Sequence, residues 1–335
     1  MKPLAIVSGD WHIHDWKTFN EDGRRTKSQL SALYNMGYAA KQDNIPIIFT
    51  GDFGHAFGKV SLELWFTLVV FFKNWEAKEY PPIVGITGNH DQEKANYDEE
   101  EASPDLWSLL CLLFPRVFQN VNWDSGIVAV GDNYLTVMGI PYTTYNKSFD
   151  KWVKHFQSKI LKVPGMYNIL VIHTDLYGAI DNGREVGTVE GIPKDMDEYF
   201  GGFDLVLSGH IHLPQKLGRK IYMVGAMQEQ RRSDMGGKFG FWTMGEHKSK
   251  LKMEFTHLDM LPKFVYLEPG QLPLDKDNYY ITAETLAEET EEIEMGFSNK
   301  SSKGQLVRNY MQAIGDKSVS KRIALTKMIN SALDD

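Results

Sequence analysis

Five short apolar runs in this 335-residue chain each stop at a polar motif, and that repeated pattern constrains the fold more than any other feature. Leu4-Ala5-Ile6-Val7 stops at Ser8-Gly9-Asp10, and Ile45-Pro46-Ile47-Ile48-Phe49-Thr50 stops at Gly51-Asp52. Pro82-Ile83-Val84-Gly85-Ile86-Thr87 runs into Gly88-Asn89-His90, Ile169-Leu170-Val171-Ile172 into His173, and Phe203-Asp204-Leu205-Val206-Leu207 into Ser208-Gly209-His210. A short continuous apolar run closed by Gly or polar residues reads as a strand buried on both faces. Each polar motif then sits at the carboxyl end of its strand, where open α/β sheets place their ligand sites. Residues 29–41 have helical length and pattern between the first two strands, and the segment from Val60 to Phe72 lies between the second and third. The alternation predicts βαβ units and an α/β sandwich of two mixed sheets flanked by helices.

The segment from Val60 to Phe72 is almost wholly apolar, yet its roughly 13 residues fall short of the roughly 20 that span a bilayer, and it contains Glu63. It is expected as a buried helix, with no membrane association. The single Cys111 excludes an internal disulfide, and Met1-Lys2-Pro3 leads straight into a strand without room for a signal peptide. Both point to a reducing, cytoplasmic setting. A net charge of −8 argues against a protein that coats nucleic acid through a broad basic surface. It leaves a nuclease open, because local basic groups remain at Arg24, Arg25 and Lys27, at Lys216, Arg219 and Lys220, and at Arg231 and Arg232.

After His212 the texture changes. Residues 220–224, 238–243 and 250–256 look like successive strands of a β meander that completes a second sheet, and residues 279–282 resemble one more strand. A Pro- and Gly-bearing connector at 262–273 separates the meander from that last strand, and an acidic run follows at 288–294. The tail carries two amphipathic segments: Leu306, Val307, Tyr310, Met311 and Ile314, then Ile323, Ala324, Met328, Ile329 and Leu333.

The motifs supply a metal-binding set. Asp10 and His12, at i and i+2 on an extended strand end, point to one side and can grip one ion together. Asp52 can bridge two ions through its two oxygens. Asn89 offers an amide oxygen, and His173, His210 and His212 offer imidazole nitrogen. Such mixed ligation suits Mn²⁺, Fe²⁺ or Zn²⁺, and the absence of thiolates disfavours a closed structural zinc site. Two ions roughly 3.5–4 Å apart activate water for in-line attack on phosphorus. His90, next to Asn89, can protonate the leaving oxygen, and Asp91 can orient His90.

In this order, Asp10-x-His12, Gly51-Asp52, Gly88-Asn89-His90-Asp91, His173 and Gly209-His210-x-His212 resemble the calcineurin-like metallophosphoesterase superfamily over about residues 4–212. The resemblance implies one metal on Asp10, His12, Asp52 and His212, a second on Asp52, Asn89, His173 and His210, and His90 as the catalytic histidine. Protein phosphatases of the superfamily continue the second motif as Asp-Arg-Gly, whereas Asp52 is followed by Phe53-Gly54-His55. A His three residues after that Asp is similar to the SbcD-type DNA repair nucleases, which implies a DNA-facing role for His55. Gly225-Ala226-Met227 followed by Phe239-Gly240-Phe241-Trp242 resembles the same group, and the length resembles its phage versions.

That likeness implies a Mn²⁺-dependent exonuclease or endonuclease, with Mg²⁺, Fe²⁺ or Zn²⁺ as alternative metals. It implies a homodimer through the Val60-to-Phe72 region and an SbcC-like coiled-coil ATPase docked on the C-terminal helices. The expected organisation is a catalytic domain at 1–260, a reduced capping region and linker at 261–303, and partner-binding helices at 304–335. A phosphomonoesterase, a cyclic-nucleotide phosphodiesterase and a DNA-end-tethering scaffold are the alternatives. His14 has no assigned role, and His155, His247 and His257 read as ordinary surface or core histidines.

Overall fold

The computed structural model describes residues 1–15, 23–55, 60–92, 105–143, 147–187, 192–259, 261–267 and 278–281. The chain divides into two units, Met1–Tyr280 and Ile281–Asp335. The expected tail helices at 304–335 and most of the linker lie outside the described residues.

In chain order the elements are β1 (Lys2–Ser8), α1 (Arg24–Asp43), β2 (Ile47–Phe49), α2 (Leu62–Ala77), β3 (Ile83–Gly85), α3 (Leu106–Leu113), β4 (Phe118–Asn120), β5 (Ser125–Val130) and β6 (Asn133–Ile140). There follow α4 (Lys147–Lys159), β7 (Met166–His173), β8 (Ile180–Asp181), β9 (Arg184–Glu185), α5 (Met196–Tyr199), β10 (Leu205–Gly209), β11 (Gln215–Lys216) and β12 (Ile221–Met223). The described strands close with β13 (Gly240–His247), β14 (Lys250–His257), β15 (Phe264–Tyr266) and β16 (Tyr279–Ile281).

Two six-stranded mixed sheets form the sandwich, ordered β14-β13-β1-β2-β3-β4 and β11-β12-β10-β7-β6-β5. The five strands that carry motifs lie side by side in parallel: β1, β2 and β3 in one sheet, β7 and β10 in the other. The register shows why their sequences lack polar alternation. In β7, Ile169 and Val171 enter one apolar cluster while Leu170 and Ile172 enter another; in β10, Leu205 and Leu207 face the first and Val206 the second. A strand with a core on each face has no solvent side on which to place polar residues.

Two expectations change. The three strands predicted as one meander divide between the sheets: β12 pairs parallel with β10, while the β13–β14 hairpin adds antiparallel to β1. Hydropathy alone could not show that β12 closes a crossover from β10 while the next strand changes sheets. The apolar helix is also only half buried. In α2, Leu64, Leu68, Phe72 and Trp75 face the core, but Leu62, Phe66 and Val70 are 49%, 69% and 45% exposed. Their i, i+4, i+8 spacing makes one outward apolar stripe. Ser61 caps this helix by accepting from the Leu64 N–H.

Candidate metal centre

All five motifs converge at the carboxyl ends of their strands, on loops locked to one another by backbone bonds. Asp10 N donates to the Gly51 carbonyl, His12 N to that of Asp52 and Ile13 N to that of Phe53, each within 3.0 Å. The extended geometry expected of Asp10 and His12 is not what brings them together. Both have left-handed backbone (φ 47° and 45°), as do Asp52 (φ 60°) and His210 (φ 86°). Non-glycine residues rarely adopt this region, and surrounding structure must hold them there. Gly88 is required for a different reason: a Cβ at that position would collide with the Asp52 carboxylate and backbone.

Three candidate ligand groups result, one of them His12, His55 and His90. Asp10, His12 and His212 bring donor atoms within 4.8 Å of one another, and so do Asp52, His173 and His210. Asp52 stands between them, its Oδ2 3.6 Å from His12 Nε2 and 3.3 Å from His173 Nε2. The Asn89 amide oxygen lies 3.0 Å from both His173 Nε2 and His210 Nδ1. His12 Nε2 and His212 Nε2 face each other at 3.2 Å.

Outer contacts set the orientation of the rings. His173 Nδ1 lies 2.7 Å from the Thr50 carbonyl, which can only accept, so this ring carries its proton outward and turns Nε2 into the site. His212 Nδ1 meets the Asp234 carboxylate at 2.9 Å with the same result. His12 Nδ1 meets His55 Nδ1 at 3.1 Å. Carboxylates and carbonyls behind metal-ligating histidines fix tautomer and raise basicity. Asp234 had no signal in the sequence, since its spacing from His212 matches no motif.

Protonation follows burial and neighbours. Burial raises Asp10 to about 6, against attraction from His173. Burial would also raise Asp52, but His173 beside it outweighs that and holds it well below the usual carboxylate range. The same pairing overcomes the burial of His173 and raises it to about 9. His12 is kept far below the imidazole range by burial, then by His55 and His212. His210 and His55 fall to about 3, each through burial first.

His90 lies beside this set. Its ring stacks on His55 at 5.2 Å, and its Nδ1 donates to the His55 carbonyl at 2.7 Å. Asp91 is fully buried and accepts from the backbone N–H groups of Gly54 and Gly88 at 2.9 and 3.0 Å. Its carboxylate therefore ties the loop after Asp52 to the loop that carries Asn89 and His90. Burial raises Asp91 to about 8.

Arg25, expected in a basic surface cluster, is instead buried at 1% exposure. It donates to His14 Nε2, the Glu229 carbonyl and the Gln230 side-chain oxygen at 2.7–2.9 Å. Gln230 and Gln29 in turn donate to the carbonyls of Asp10, Trp11 and His12. His14 thus belongs to a brace beneath the first motif. Burial removes Arg25 from any surface role.

The pocket fits divalent ions. Asp10 Oδ2 is buried without a hydrogen-bond partner, an arrangement that costs free energy unless a cation meets the oxygen. The donors are oxygen and imidazole nitrogen in two groups sharing one carboxylate, as a dinuclear hydrolytic centre requires. Among the described residues no helix is long and apolar enough to cross a membrane.

No curated protein matches the chain. Among solved structures, the calcineurin-like phosphoesterase YfkN from Bacillus subtilis is similar at 13% identity, with 75% of this chain and 87% of that one covered and a TM-score of 0.38. The sulfate thiohydrolase SoxB from Thermus thermophilus, solved in complex with glycerol, is similar at 16% identity, with 70% of this chain but only 43% of that one covered and a TM-score of 0.37. The calcineurin-like phosphoesterase family model matches residues 5–214, more than half of the sequence, and the chain belongs to that family of metal-dependent phosphoester hydrolases.

Proposed function

We propose that this phosphoesterase is a Mn²⁺-dependent DNA nuclease subunit of the SbcD type. The observation that carries the reading is His55, three residues after Asp52. It lines the metal cavity of about 180 Å³, stacks on His90 and touches His12. A ring in that position can meet the sugar-phosphate chain beside the reacting phosphate, a contact that a small monoester does not need. Bound ions would supply positive charge for the phosphoryl oxygens and a water acidified for attack. Asp10, His12, Asp52 and His212 would hold one ion, and Asp52, Asn89, His173 and His210 the other. His90, whose Nδ1 donates to the His55 carbonyl, would deliver a proton to the leaving oxygen.

The apolar stripe Leu62, Phe66 and Val70 on α2 supports a homodimer, since exposed apolar rows of this kind mark protein contacts. Residues 304–335 would dock an SbcC-like coiled-coil ATPase as amphipathic helices.

Cleavage of end-labelled linear duplex and single-stranded DNA by the purified chain tests this reading, with Mn²⁺, with Mg²⁺ and with chelator. Manganese-dependent degradation, lost in His90→Ala, is the expected result. Brisk hydrolysis of a small phosphate ester without DNA cleavage would replace the nuclease by a phosphomonoesterase.

A further inference from the structure

Asp175, Asp181 and Arg231 line the same cavity as His90, His210 and His212, and none of the three belongs to the ligand groups above. Among the described residues that line it, Arg231 is the one lysine or arginine. Its base is anchored. The backbone N–H groups of Gln230 and Arg231 donate to Asp234 Oδ2 at 2.9 and 3.1 Å, the oxygen that also meets His212 Nδ1. Arg231 Nε stands 3.4 Å from the other Asp234 oxygen. The arginine is therefore fixed to the residue that orients a metal ligand.

Its tip is held differently. Arg231 Nη2 donates to Asp181 Oδ1 at 2.6 Å. Asp181 sits on β8, a two-residue strand that pairs with β9 in a small sheet and whose Ile180 backbone is held by the Gln215 side chain, and the Arg231 and Asp181 side chains are 43% and 34% exposed. An ion pair so accessible to water contributes little by itself, so a better acceptor can replace the carboxylate. Phosphate is such an acceptor, because its oxygens match the paired N–H groups of a guanidinium.

We propose that Arg231 binds a second phosphate, the one adjacent to the reacting group in a phosphodiester chain, and that Asp181 holds the arginine when that phosphate is absent. This inference rests on the phosphodiester reading above and specifies a subsite for it. A substrate with one phosphate leaves the Arg231–Asp181 pair intact. A substrate with two adjacent phosphates draws the guanidinium across to the second.

The test uses the full Mn²⁺-loaded chain hydrolysing bis(p-nitrophenyl) phosphate, inhibited by thymidine 3′,5′-bisphosphate or thymidine 5′-monophosphate. The readout is the ratio of the two inhibition constants. The unaltered chain should prefer the bisphosphate on the order of tenfold, the scale of one charge-assisted contact. Arg231→Ala should bring that ratio towards one, Arg231→Lys should restore part of it, and Asp181→Asn should raise it. A merely structural Arg231, acting through Asp234 and His212, would weaken both inhibitors alike; an unchanged ratio in Arg231→Ala overturns the proposal, as does a ratio near one in the unaltered chain. Should DNA resist cleavage while the ratio responds as expected, the nuclease reading fails and the phosphate subsite stands. DNA cleavage with an unmoved ratio means the reverse.

Discussion

The two halves of the metal centre are stabilised in different ways. Asp52 and His173 form a buried pair at 3.3 Å, with the carboxyl held ionised and the imidazole raised to about 9, so this half supplies its own counter-charge. In the other half, Asp10 keeps a buried oxygen without a partner while His12 is held neutral. Their outer supports differ as well. His173 leans on the Thr50 backbone carbonyl, whereas His12 and His212 lean on the side chains of His55 and Asp234. One half is preformed by charge pairing and backbone, with Asp175 3.6 Å from His210 as its side-chain contact, and the other depends on a bound cation and on the side chains of His55 and Asp234. The contrast shows how a single site can be rigid at one ion and adjustable at the next.

The largest test of that contrast is Asp52→Ala against Asp10→Asn. Removing Asp52 takes a ligand from both ions and should lower kcat/KM by a factor on the order of 10³ or more, with metal content falling below one ion per chain. Asp10→Asn should lose only the first ion. Equal metal loss in the two variants, measured by elemental analysis, breaks the asymmetry.

The pH dependence of metal-free stability sharpens it. Asp10 is raised from 3.8 to about 6, so the folded chain holds a proton that the unfolded chain has released. Stability on this account falls as pH rises from about 4 to about 6, by on the order of 3 kcal/mol. His173 is raised from 6.5 to about 9; its contribution is complete below pH 6.5 and is lost as pH rises through 9. Asp91, raised to about 8, and His12, His55 and His210, held below the imidazole range, add slopes of their own, so the Asp10 contribution is read as the difference between the chelated protein and Asp10→Asn in thermal unfolding, which should shrink as pH rises from about 4 to about 6.

Metal loading should release the His173 proton at pH 7, so affinity for Mn²⁺ rises with pH up to about 9. Calorimetry in buffers of different ionisation enthalpy counts the released protons, and a count of zero contradicts the pairing described. A smaller effect is expected at the outer contacts: Asp234→Asn should weaken Mn²⁺ binding by about 10- to 100-fold. The least effect on chemistry is expected from Phe66→Asp on α2, which should convert a dimer to a monomer in sedimentation while small-diester hydrolysis persists.

Much of the fold was legible because the motif strands are buried on both faces, which leaves continuous apolar runs such as Ile169 to Ile172. The candidate ligand groups were legible for a related reason: their residues stand at or just beyond the ends of those runs. Other features arise only in three dimensions. The placement of β13 beside β1 depends on register across the sheet, not on hydropathy. Arg25 reads as a surface residue, and His14 has no role, until the chain brings Glu229 and Gln230 onto Arg25 and Arg25 onto His14. Asp234 matters because a turn carries it to His212, and the outward stripe of α2 was hidden by a helix apolar on nearly every face. The left-handed backbone at Asp10, His12, Asp52 and His210 has no counterpart in the one-dimensional pattern, because Asp and His enter that region more often than most side chains yet still too rarely for their identity to mark it.

The most direct test of the two-ion centre is a titration of the purified metal-free chain with Mn²⁺, following stoichiometry by calorimetry and coupling between ions by electron paramagnetic resonance. Two ions per chain, magnetically coupled and reduced to uncoupled binding in Asp52→Asn, is the expected result. A single ion per chain, or two whose coupling survives loss of the Asp52 carboxylate, would contradict a centre built around that shared ligand.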